Sequence, residues 1–279
     1  MSKPRAVKPG VEISAWSDQK WVRGISHIGA VSEVATAWDA AVHVWVDLAL
    51  SDDRYIIDAT LRTNASPPLE EMALRLGDAI HCFRSALDSL AWSLCHLDGA
   101  APAESTKVYF PCTPTEAKWK NAAKALDSMP EEFRERIHQM QPFNTGPGSP
   151  LQLLVDLSNQ DKHRGMITGR ANPSTFQIGV HTGGATGARN GITNGLRVDF
   201  LNPEMKLGDG VPFARVETSV PVDLVHEREP VGLAYFVTVG DLEYPLGDVQ
   251  LGLIQLQQVM IFVREGHFPA QPPAAAPSA

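Results

Sequence analysis

Leu76-Gly77-Asp78-Ala79-Ile80-His81-Cys82-Phe83-Arg84-Ser85-Ala86-Leu87-Asp88 lies at the centre of a long amphipathic pattern. Apolar residues return every three or four positions, at Leu76, Ile80, Phe83, Leu87, Ala91 and Leu94, which is the period of a helix with one face turned inward. The pattern predicts a helix over 69–97. Pro68 stands where a missing N–H costs nothing, Glu70 and Glu71 suit the positive end of the helix dipole, and Gly99 is a stop. At about 1.5 Å per residue such a helix is roughly 40 Å long, enough to cross a domain. On the border of its apolar face, His81, Arg84 and Asp88 share a band about 60° wide.

Upstream, Tyr55–Leu61 and the alternating Val42, Val44, Val46 and Leu48 flank Ser51-Asp52-Asp53, so 42–63 reads as a β-hairpin. Ile28, Val31, Ala35, Trp38 and Val42 place a first helix over 26–41, and 1–23 reads as a flexible arm. Downstream, Lys107–Phe110 reads as a short strand, and Thr113 as the cap of a helix over 114–128. Pro130 and Pro150 open two more helices, the second over 150–163 with Leu151, Leu154 and Leu157 on one side. Short alternating runs follow, at Phe176–Val180, Leu196–Leu201, Phe213–Val220 and Leu233–Val239. The Gly-rich stretch 182–195 lacks the strand-then-helix setting of a phosphate loop and reads as a hairpin loop. Val249, Leu253, Leu256, Met260 and Val263 define a last helix over 246–265, and Leu251, Ile254 and Ile261 make it apolar on a second side. That helix suits an internal core or a homodimer contact.

The expected class is α+β. A mainly helical region over 24–165 contains the hairpin, an antiparallel β region covers 166–245, and a closing helix over 246–267 precedes a disordered Pro/Ala tail at 268–279. Hydrophobic residues make up 43% of the 279 and charged ones 20%, as in ordinary globular chains. A net charge of −8 argues against non-specific nucleic-acid binding, which needs clustered cations. The basic N-terminus has no apolar run behind it, and no stretch reaches the roughly 18 apolar residues of a membrane span. The three cysteines have no metal-ligand spacing and do not pair off evenly. The expectation is a soluble cytoplasmic protein with no membrane association and no cofactor.

The site candidates are His81, Arg84 and Asp88, with Asp161 and His163 of the second charged run Asp161-Lys162-His163-Arg164. An Asp can orient an imidazole that moves a proton while an Arg holds an anion. The same trio also makes a buried network that fixes helix packing, and a basic run at a helix end can simply cap it. His81, Asp88, Asp161 and His163 are of types that bind zinc, manganese or iron, but no tight ligand spacing accompanies them, so no metal is assigned. The other catalytic templates are missing: the chain has no Gly-x-Ser-x-Gly elbow and no phosphate-binding loop.

The segments Leu76–Trp92, Phe110-Pro111-Cys112 and Pro150 through Asp161-Lys162-His163-Arg164 together resemble a family of uncharacterised bacterial and phage proteins. Its members carry a GD-x-(I/L)-H-x-x-RSALD-x-L helix, an FP(I/C) segment and a helix ending in DKHR. The resemblance covers about 70–165 and departs at Ser89, where the family pattern has His. It implies joint use of the two charged clusters and names no reaction. Arg75 and His81 also fit the Arg, four to six residues, then His signature of HEPN-type ribonucleases, which cut RNA without a metal, usually across a dimer. With nine histidines in the chain, roughly one such match is expected by chance. The expected function is therefore a binding or interaction module with a polar helix–helix site, and the alternative is an HEPN-like metal-independent ribonuclease.

Overall fold

Helix α1 (Ala15–Ala41) begins well inside the stretch expected as an arm over 1–23. Its inward positions Ser17, Trp21, Gly24, Ile28, Val31 and Ala35 keep helical spacing throughout. Two of the first three are a serine and a glycine, so the apolar period is invisible there. The computed structural model describes residues 15–146, 148–163, 168–182, 196–200, 207–239 and 242–268. The fold is α+β.

After α1 come the hairpin strands β1 (Val44–Leu50) and β2 (Ile56–Thr63), then the long helix α2 (Leu69–Cys95). Helices α3 (Glu116–Ala122), α4 (Glu131–Gln139), α5 (Pro142–Thr145) and α6 (Pro150–His163) follow. Strands β3 (Thr168–His181), β4 (Leu196–Phe200), β5 (Val211–Thr218), β6 (Leu224–Val239) and β7 (Leu242–Pro245) lead into α7 (Leu246–Glu265). The chain forms two compact units. One gathers 15–30, 74–163 and 247–268; the other gathers 31–73 and 168–246.

The β unit contains two antiparallel sheets, ordered β1-β2-β5-β4 and β3-β6-β7. The hairpin is thus half of the four-stranded sheet rather than an insert in a helical region: Ile57 pairs with Val216 of β5, 159 positions along. Val44, Val46, Ala59, Leu61, Phe213 and Ala214 of that sheet share a core with Val231 of the other.

In the helical unit α2 buries Leu76, Ile80, Phe83, Leu87, Leu90 and Leu94 almost completely. At about 2 kcal/mol for each large side chain, that face holds the helix more firmly than any surface ion pair can. Leu151, Leu154 and Leu157 of α6 are buried, as are Val249, Leu253, Leu256, Met260 and Val263 of α7, while Leu251 and Ile254 on the second side of α7 are exposed. Among the described residues α7 is the one helix with the length and apolarity of a membrane span, a composition that buried core helices share.

Two local expectations are corrected. Lys107–Phe110 is no strand; a 3-10 turn covers Ser105–Lys107 and the chain beyond it is extended without a partner strand. The helix expected over 114–128 is α3 followed by a 3-10 turn, Ala123–Leu126, and its cap is Thr115, whose hydroxyl accepts from the Lys118 N–H. Thr113 is bonded elsewhere.

Candidate functional site

Arg84 and Asp88 stand one turn apart on α2 with their charges 3.3 Å apart. Both turn to the segment 110–113. The Arg84 guanidinium donates to the Phe110 carbonyl at 2.8 Å and to Cys112 Sγ at 3.1 Å, and Asp88 Oδ1 accepts the Phe110 N–H at 2.9 Å. Gln141, fully buried, continues the hold: its Oε1 accepts the N–H and hydroxyl of Thr113, and its Nε2 donates to the Pro111 and Ile137 carbonyls. Three side chains thereby supply what a neighbouring strand would supply. Backbone groups this enclosed need such partners, since each one left unmade costs about 1–3 kcal/mol. Burial pushes the Cys112 thiol up from 9.0 to about 11, against the pull of the Arg84 charge, so the sulfur stays protonated at neutral pH.

His81 belongs to a different surface. Within the helical unit α1 runs antiparallel to α2, as the pairs Lys20–Ser89 (2.8 Å) and His27–Asp78 (3.9 Å) define. Gly24 permits the close approach, because a Cβ there would lie 2.7 Å from the Phe83 ring; Trp21 meets the same ring edge-on at 5.0 Å. Beside this contact lies an open groove of about 590 Å³. Trp16, Lys20, Arg23 and His27 line it from α1. His81, Cys82 and Asp78 face them from α2. Burial, aided by the Asp78 charge, raises the Cys82 pKa against the pull of Arg23 and Lys20, so Cys82 is no ready nucleophile.

The structure thus brings Arg84 and Asp88 together at residue 110 and places His81 in the groove beside α1. Arg75 lies half-buried on α2 and is not among the groove's lining residues. Asp161 and His163 end α6, but their side chains, and Arg164 and the loop 183–195, lie outside the described residues. Among the described residues no group of three His, Cys, Asp or Glu side chains is placed to hold a metal. Two contributors escaped the sequence reading. The stripe Trp16, Lys20, Arg23 and His27 fell in or beside the supposed arm, although its spacing of four, three and four positions was a helical signal; Gln141 carried no signal. No family model, curated protein or solved structure matches this chain.

Proposed function

We propose that the protein is a binding module whose recognition site is the groove between α1 and α2 of the helical unit. One observation carries this reading: Arg84 and Asp88 are taken up by the backbone of residue 110, whereas His81 opens onto the groove beside Lys20 and Arg23. A proton-transfer role for His81 would need a group that orients its ring. Among the described residues the His81 side chain makes no hydrogen bond or ion pair. The Arg84–Asp88 pair then serves to hold residue 110 rather than to meet a ligand.

A thermal-shift screen of small metabolites tests the proposal on wild type, His81→Ala and Arg23→Glu. A compound that binds only the folded state raises the melting temperature, at 100 times its Kd by the equivalent of about 2.7 kcal/mol. The expected result is a stabilising compound whose effect is lost in both variants. RNA cleavage that disappears in His81→Ala and Arg75→Ala would replace this reading with the metal-independent ribonuclease.

A further inference from the structure

We infer that the groove takes a small phosphorylated aromatic molecule of nucleoside monophosphate size, with its phosphate on Lys20 and Arg23 and its ring on Trp16. This rests on the binding-module reading above and names its ligand class.

Charge comes first. The chain carries −8 overall, but at physiological ionic strength fields decay over about 8 Å, so the charges lining the groove dominate. Lys20 and Arg23 stand three residues apart on α1, on one face. The groove's carboxylate, Asp78, faces His27 at 3.9 Å, one turn beyond Arg23. The Lys20–Arg23 end is therefore cationic, and the groove's one carboxylate lies toward the other end. Elsewhere Arg54, Arg62, Arg84, Arg215 and Arg264 each meet a carboxylate. Arg23, exposed in the same acidic chain, meets none among the described residues. A phosphate monoester brings about −1.5 to −2 charges and three acceptor oxygens, enough to engage a guanidinium and an ammonium together; a carboxylate brings one charge.

The second element is Trp16, 60% exposed one turn before Lys20, whose ammonium lies 5.8 Å from the ring centroid. A single exposed aromatic is ordinary on a protein surface. This one ends a groove whose two α1 cations, Lys20 and Arg23, follow it along the helix with the neutral Gln19 between, which is the order an aromatic phosphate requires. From Trp16 to Arg23 is seven residues, about 10 Å along the helix axis, so a base on Trp16 leaves its phosphate within reach of Lys20 and on the Arg23 side of the ring. Inorganic phosphate would occupy one end alone. A volume of about 590 Å³ falls within the roughly 300–1,000 Å³ of small-molecule sites.

Calorimetric titration of the full chain with AMP, GMP, UMP and CMP, and with adenosine and inorganic phosphate as partial probes, tests the assignment. At least one monophosphate should bind at least about tenfold more tightly than either partial probe. Arg23→Glu should weaken it by about tenfold or more, and Trp16→Ala should weaken it severalfold, with circular dichroism unchanged in both. Arg228→Glu makes the same change in net charge outside the groove and should bind like wild type. The inference is overturned if no monophosphate binds, or if Arg23→Glu and Trp16→Ala bind it as wild type does. If the metabolite screen then finds a different compound whose effect needs His81 and Arg23, the binding module stands and only the ligand class falls. If no compound depends on those residues, both fall.

Discussion

Arg84 acts on main chain, and that sets what its loss would do. In Arg84→Ala the Phe110 carbonyl loses its donor and Asp88 loses its counter-charge in a half-buried setting, where the two side chains are 19% and 34% exposed. Charge-assisted bonds of this kind contribute about 2–3 kcal/mol, so calorimetry should record a melting temperature lower by about 5–10 °C. Asp88→Asn keeps an oxygen for the Phe110 N–H and should lose less than half as much; a variant at residue 84 melting like wild type would refute the clamp. Cys112 gives a pH signature. Its thiol titrates near 11 when folded against 9.0 ordinarily, so the folded state favours the protonated form. That contribution is intact below pH 9 and is lost as pH rises from 9 through about 11. The Tyr235 hydroxyl, also raised by burial, acts in the same direction at still higher pH. The difference between wild type and Cys112→Ser isolates the cysteine: the serine variant should show a shallower loss of stability across that window.

At the scale of elements, α1 carries two glycines with opposite expectations. Alanine favours a helix over glycine by about 1 kcal/mol. At Gly29 a Cβ would meet nothing within 4 Å, so Gly29→Ala should raise the melting temperature. At Gly24 the same methyl would strike the buried Phe83 ring at 2.7 Å, and overpacking of about 1–3 kcal/mol outweighs the gain. Gly24→Ala should therefore melt below wild type, and equal effects at the two positions would show that the helices are not in contact there. The elements legible in the sequence were those with an uninterrupted period and a proline at their start. The helices opened by Pro150 and closed by Glu265 fell within their expected bounds. The start of α1 was hidden because small residues occupy its inward positions. The supposed strand at Lys107–Phe110 failed because Phe110 is held by the side chains of Arg84 and Asp88 rather than by a strand, and a main-chain group leaves no mark on residue identity. The stripe of His81, Arg84 and Asp88 was legible as a stripe, but the helical period does not say that its edges meet different neighbours, residue 110 at Arg84 and Asp88 and the groove at His81.

For the whole molecule, the path of the chain matters more than any element. The β unit draws on 31–73 and 168–246, so neither unit is one continuous segment. A split of the sequence at 165 separated strands that pair across 159 positions, because local alternation says nothing about distant partners. A fragment comprising 168–246 lacks β1 and β2, half of the four-stranded sheet, and leaves the β2 side of β5 unpaired. Expressed alone it should give poor amide dispersion by NMR or aggregate; adding the segment 31–73 in trans should restore native chemical shifts. A well-folded 168–246 fragment would contradict the sheet order.

The hold on residue 110 also fixes which substitutions that position accepts. Arg84 and Asp88 read its carbonyl and its N–H, neither of which depends on the side chain. Position 110 is therefore constrained by its burial and by nothing polar of its own, and different apolar residues can occupy it while the clamp stays closed. Proline is the exception, since it has no hydrogen to give Asp88. The information that holds residue 110 is stored on α2, 22 and 26 residues before it.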